Sequence, residues 1–113
     1  MPTLYKIVPA ALWQEAERAG IFHGSPVDLK DGFIHFSTAM QVAETTAKHF
    51  AGQNDLLLVR VDAASLGHQL RWEPARGGVL FPHLYGALHV TLATRVELLP
   101  LEGGTHRFPA LDA

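Results

Sequence analysis

The chain has 113 residues, a formal net charge of −2 with its seven histidines neutral, 48% hydrophobic and 18% charged residues, and no cysteine. A single domain of this size buries about two thirds of the surface its unfolded chain exposes, so it needs no disulfide or metal staple, and it is too apolar to be disordered. Without cysteine there is no disulfide scaffold, thiolate zinc site, iron–sulfur cluster or cysteine nucleophile, and the scattered lysines and arginines form no basic stripe of the kind that binds nucleic acid.

Leu4 to Val8 is short and apolar between Pro2 and Pro9 and reads as a first strand, with Lys6 pointing opposite to Tyr5 and Ile7. Pro9 suits the first turn of a helix over Ala10 to Ala19, with Leu12, Trp13 and Ala16 inward and Gly20 as its stop. Residues 21 to 31 hold Gly24, Ser25, Pro26 and Asp28 and read as a loop, either functional or a plain surface excursion. Phe33 to Ser37 reads as a second strand, with Phe33, His35 and Ser37 on one face and Ile34 and Phe36 on the other. Ser37 or Thr38 caps the next helix, and Gln41 completes a capping-box pattern with Thr38. That helix is expected over 39–50, with Met40, Ala43, Ala47 and Phe50 on one stripe.

The run Leu56 to Val61 is the strongest strand signal, and its near-continuous apolarity predicts a central position. Ala63 to Leu66 suggests one helical turn closed by Gly67. Leu70 to Glu73 is a short strand cut by Pro74, and residues 75 to 80 form a mobile glycine-containing loop. Alternation from Gly86 to Leu99 predicts one long or two short strands, and the tail from Gly103 reads as peripheral. Helices in the first half and strands after them give an α+β domain, a single one over 1–113. No apolar stretch approaches the ~20 residues that span a bilayer, and the N-terminus carries no signal-peptide pattern. A cytoplasmic protein with a small-molecule partner is expected, and nothing in the sequence sets its oligomeric state.

Two segments concentrate chemistry. Gly32-Phe33-Ile34-His35-Phe36-Ser37-Thr38 places a histidine and a serine on one strand face, just before a helix start with free backbone N–H groups. The plainer alternative is a buried structural histidine followed by a cap. Phe81-Pro82-His83-Leu84-Tyr85-Gly86 places an imidazole and a phenol at alternate positions, able to stack on a ring or move a proton; alternatively it is a turn with an aromatic plug. Glu73 ends a strand beside the glycine loop, well placed for a pocket, though surface is the default for a lone glutamate. His49 sits near a helix end, and His23, His68, His89 and His106 have no partner at a recognisable spacing. A metal site from His35, His83 and Glu73 would make the chain a metal-dependent hydrolase, but the three have no ligand spacing, so no metal is expected.

Leu4-Tyr5-Lys6-Ile7, Trp13, Gly20, the His35 segment, Gln41, Phe50, Leu56-Leu57-Leu58, Glu73 and the His83 segment occur in one order over nearly the whole chain. This combination resembles the small bacterial family called domain of unknown function 952. The resemblance implies a fold shared with ADP-ribosyltransferases and RNA 2′-phosphotransferases: a small split β-sheet core with two main helices in the N-terminal half. It further implies a site for the nicotinamide end of NAD, the substrate, built from Lys6, from His35 with Ser37 and Thr38, and from Glu73 or His83. Lys6 stands where those transferases carry Arg or His. On that basis the catalytic residues expected are His35, Glu73 and His83, and the ligand-binding residues Lys6, Ser37, Thr38 and Tyr85. Lys6 would hold a phosphate, His35 a ribose hydroxyl or the nicotinamide amide, and Tyr85 would stack on the nicotinamide. Glu73 would face the ribose cation and His83 would activate the acceptor. The alternative use of the same pocket is non-catalytic recognition of a nucleotide or small anion.

Overall fold

Seven residues from Thr3 to Pro9 form β1, which runs antiparallel to β4 (Leu56–Asp62), with Lys6 opposite Val59 and Tyr5 opposite Arg60. The computed structural model describes residues 2–113. β4 also pairs with β8 (Ala93–Leu99), so it is the middle strand of the sheet β1-β4-β8, as its apolar run requires. This sheet has a core on each face. Leu4, Val8, Val59 and Val61 pack with Trp13, Phe22 and Phe36 on one side. Tyr5, Ile7, Leu56 and Leu58 pack with Val42 and Leu99 on the other. Full burial of each large apolar side chain contributes roughly 1.5–3 kcal/mol.

A second sheet has the order β3-β6-β5, formed by Ile34–His35, Leu80–Leu84 and Leu70–Pro74. An isolated bridge between Tyr5 and Ser37 joins β1 to the chain just after β3. Short ladders pair β2 (Ile21–Phe22) with β7 (Leu88–His89), and β9 (Leu101–Glu102) with β10 (Thr105–His106). Every ladder is antiparallel. The helices α1 (Ala10–Ala19), α2 (Pro26–Asp31) and α3 (Val42–His49) all precede residue 50. The architecture is the expected α+β fold with a split sheet. α1 ends as expected, with Gly20 at φ 82° donating its N–H to the Ala16 carbonyl.

The segment 21–31, read as a loop, instead contains β2 and the short helix α2. Its turn-forming residues start a helix: Pro26 takes the first helical position and the Asp28 carboxylate accepts the backbone N–H of Ser25 at 2.8 Å.

The stripe expected on the third helix is displaced. Val42 and Thr46 face the core, Ala43 and Ala47 are exposed, and Met40 is 96% exposed. Thr38 fixes this register, because its carbonyl accepts from both Gln41 and Val42 N–H while its own N–H donates to Gln41 Oε1 at 3.0 Å. Buried Thr46 is satisfied by donating its hydroxyl to the Val42 carbonyl at 2.7 Å.

Residues 86 to 99 form two strands, β7 and β8, separated by a 3₁₀ turn over Val90–Leu92. The tail is not peripheral. Tyr5 Oη donates to the Asp112 carbonyl at 2.9 Å and accepts the Asp112 N–H, and the Thr3 N–H donates to the Ala113 carbonyl. Buried Arg60 reaches Asp112 Oδ2 at 2.9 Å and the Ala110 carbonyl at 2.8 Å, while Phe108 and Leu111 pack on the second core. A buried guanidinium needs acceptors, and the tail supplies two of them alongside Glu97 of β8, whose Oε1 accepts from Nε at 2.9 Å.

Candidate functional site

The register of the second sheet sets His35 of β3 directly opposite His83 of β6. Their rings meet edge to face with centroids 5.4 Å apart. Ile34 and Phe36 go into the core, so His35 and Ser37 are left on the other face, where β1 lies within reach through the Tyr5–Ser37 bridge. Three segments distant in sequence therefore meet. Lys6, His35, Ser37 and His83 line one cavity of about 570 Å³, with Phe36, Phe50 and Phe81 among its apolar walls.

Asp28 does not itself line this cavity but ties together two residues that do, Lys6 and His35. Its side chain is 1% exposed and accepts from Lys6 Nζ at 3.0 Å, from the backbone N–H groups of His35 and Ser25 at 3.1 and 2.8 Å, and meets His35 Nδ1 at 2.6 Å. Burial alone would raise its pKa, but the hydrogen bond from His35 and the charge and hydrogen bond of Lys6 hold it at about 2. For Lys6, burial pushes the ammonium pKa down against the opposing pull of Asp28. His35 Nε2 lies 3.0 Å from Asp31 Oδ2, so each of its ring nitrogens faces a carboxylate, and an imidazolium would donate to both.

His83 is held differently. Its Nδ1 lies 2.8 Å from Glu73 Oε1, and the same oxygen accepts the Tyr85 hydroxyl at 2.7 Å. The Tyr85 and His83 hydrogen bonds hold Glu73 below the usual carboxylate range, and the Glu73 bond pushes the Tyr85 phenol up. An ionised carboxylate only accepts, so Nδ1 carries the proton in the neutral ring. Nε2 has no protein partner among the described residues, and His83 is at the cavity wall. Phe33 backs both histidines, stacked on His83 at 4.1 Å and tilted to His35 at 4.6 Å. It lines a separate cavity of about 260 Å³ that also touches Asp28.

Three expected site residues do not line the main cavity: Glu73, Tyr85 and Thr38. Glu73 stands behind His83 and reaches the cavity only through that ring. Tyr85 is tied to Glu73 and lies under the Arg71 guanidinium at 4.8 Å, away from the position of a stacking partner for a ligand ring. Thr38 sets the register of α3. Among the described residues no group of three His, Asp or Glu side chains is placed to hold a metal ion.

Four further residues, which sequence alone does not single out for a site, also line the cavity. Asp31 comes from α2, which was read as loop. Thr45 and His49 come from α3 at the i, i+4 spacing that puts two side chains on one helix face, and Arg76 comes from the glycine loop. The Thr45–His49 spacing was the available signal.

The comparison with curated proteins returns no match. Solved structures give close likenesses. The crystal structure of protein CC0527 from Caulobacter crescentus is 48% identical, with a TM-score of 0.90 over 93% of each chain. The solution NMR structure of the same protein matches with a TM-score of 0.84 over 94% of this chain and 91% of that one. The family described as protein of unknown function (DUF952) matches residues 7–96, a span that contains Lys6's neighbour Ile7, both histidine segments and Glu73. The chain belongs to the DUF952 family.

Proposed function

We propose that the cavity takes an NAD- or ADP-ribose-type nucleotide and that the protein acts on it as an ADP-ribosyl transferase or NAD glycohydrolase. The observation that carries this reading is the meeting of His35, Ser37 and His83 with apolar and aromatic walls around about 570 Å³, a volume in the ordinary range for small-molecule sites. Cleavage of the nicotinamide–ribose bond sends the bonding pair to nicotinamide and leaves positive charge at the ribose carbon. The acceptor oxygen, from water or a hydroxyl, attacks that carbon as its proton passes to His83 Nε2. Glu73 at Nδ1 stabilises the imidazolium so formed. Asp31, at the cavity wall, supplies negative charge toward the developing cation. His35, with both ring nitrogens held by Asp28 and Asp31, presents a rigidly placed ring to the ligand.

The experiment is NAD turnover by the purified protein, read as nicotinamide release, alongside an amide-resolved NMR titration with NAD and ADP-ribose. Turnover that falls at least about 100-fold in His83→Ala, a loss within the usual range for a general base, with ADP-ribose still bound, is the expected result. No shift at His35, Ser37 or His83 with either ligand at millimolar concentration would refute it. One observation favours a second reading, a non-catalytic nucleotide-binding module: the polar groups on the cavity floor are already paired with one another, Lys6 and His35 with Asp28. Binding without product on long incubation would establish that reading in place of the first.

A further inference from the structure

Lys6 is poorly suited to hold a ligand phosphate, because its buried ammonium already meets both oxygens of Asp28. The cavity has a second cation at another part of its wall. Arg76 begins the 3₁₀ turn Arg76–Gly78 after β5, and its guanidinium lies over the Phe81 ring at 4.9 Å. Its Nη2 donates to Thr45 Oγ1 at 3.2 Å, and Ser37 Oγ lies 3.1 Å from that same oxygen.

Ser37 and Thr45 share one hydrogen bond, so one of their two hydroxyl protons is used between them. Whichever hydroxyl donates, the other proton has no acceptor among the described residues. With Ser37 as the donor the spare proton is on Thr45, which is half-buried beside Ser37, itself 4% exposed. Ser37, Thr45 and Arg76 all line the cavity, and His49 lines it one turn after Thr45. The carboxylate facing Arg76 is Glu44, whose Oε1 is 3.4 Å from Nε and whose side chain is 64% exposed. A solvated carboxylate at that distance holds a guanidinium weakly and is readily exchanged for a better-placed oxyanion.

We propose that Arg76, Thr45 and Ser37 form the subsite for a phosphate or diphosphate group, with Arg76 exchanging Glu44 for the anion. This rests on the reading of the cavity as a nucleotide site and moves the phosphate-binding role from Lys6 to Arg76. The guanidinium fork and the spare hydroxyl proton supply donors on adjacent sides of the anion, the arrangement phosphate oxygens prefer. The Gly77-Gly78 pair, at φ 66° and 78°, lets the chain turn sharply enough to return Arg76 over Phe81.

The test titrates the full chain with inorganic pyrophosphate, ADP-ribose and nicotinamide, with amide NMR and calorimetry as readouts. Glu44 is exposed and Arg76 is half-buried at the cavity wall, and neither belongs to the apolar cores. Pyrophosphate is expected to shift the amides of Thr45 and residues 76–78. Arg76→Gln should weaken pyrophosphate and ADP-ribose binding about 10- to 100-fold, the range for loss of a hydrogen bond to a charged group, and leave nicotinamide binding unchanged. Glu44→Gln should tighten both anionic probes, since it removes the competitor. Wild-type affinity for pyrophosphate in Arg76→Gln, shifts centred on Lys6, or no binding of either anionic probe at millimolar concentration would overturn the subsite. Arg76-dependent binding of pyrophosphate without binding of ADP-ribose would uphold the subsite and refute the nucleotide reading. ADP-ribose binding insensitive to Arg76→Gln would do the reverse.

Discussion

Lys6 Nζ lies 3.0 and 2.8 Å from the two carboxylate oxygens of Asp28, and both side chains are buried. The two partners are not equivalent. Asp28 also accepts from Ser25 and His35, whereas Lys6 has Asp28 alone as its side-chain partner among the described residues. Asp28→Asn would leave a buried ammonium without a counter-charge and should cost about 3–5 kcal/mol. Lys6→Met, of similar length, should cost less, because the remaining partners of Asp28 still satisfy it. Urea unfolding of the two variants checks this order, and equal losses would contradict it.

The same pair sets an acid limit on stability. The hydrogen bond from His35 and the charge and hydrogen bond of Lys6 hold the Asp28 pKa at about 2, below the usual carboxylate range. A carboxylate with a lowered folded pKa contributes stability that is complete above the unfolded value and disappears as pH falls through the folded one. The difference corresponds to roughly 2 kcal/mol, lost between about pH 5 and pH 1. Unfolding free energies measured over that range should fall more steeply for the wild type than for Asp28→Asn.

Tyr5 and Arg60 carry a third prediction. Both reach the C-terminal tail: Tyr5 binds Asp112, and Arg60, which also keeps Glu97 at 2.9 Å, binds Asp112 and the Ala110 carbonyl. Removing residues 108 to 113 would also uncover the second core, which Phe108 and Leu111 cover. With neutral hydrogen bonds near 1 kcal/mol and charged ones near 2, the truncation should destabilise by about 3–6 kcal/mol. A shift in the urea midpoint with a nearly unchanged m-value is the expected signature.

The legible parts of this sequence were those governed by local period and local chemistry. The apolar run Leu56 to Val61 forecast a central strand, and Gly20 forecast the end of α1. The common face of His35 and Ser37 followed from strand alternation and holds in the cavity. What escaped was set by long-range partners. Asp28 looks like a turn residue, and only the return of β1 brings Lys6 to it, 22 positions away. Glu73 looks like a pocket carboxylate, but the β5–β6 register places Phe81 opposite it and leaves its side chain behind His83. On α3 the expected stripe of Met40, Ala43, Ala47 and Phe50 gave way to Val42 and Thr46, because the hydrogen bonds at Thr38 set where the helix starts.

The last prediction concerns Nε2 of His83, the ring nitrogen without a protein partner among the described residues. Glu73 Oε1 accepts from both Tyr85 and His83 Nδ1, and those bonds lower the Glu73 pKa. In the neutral ring the proton therefore belongs on Nδ1, and Nε2 keeps its lone pair. Long-range ¹H–¹⁵N correlation spectra of the imidazole at a pH where the ring is neutral should show an unprotonated Nε2. Glu73→Gln removes the charge that enforces this tautomer and should shift the ring toward a mixture. Tyr85→Phe removes one of the two donors to Glu73, so the Glu73 pKa should rise while the His83 tautomer is kept. A protonated Nε2 in the wild-type neutral ring would mean that Glu73 does not set the tautomer, and His83 would then have no lone pair with which to take a proton from an acceptor in the cavity.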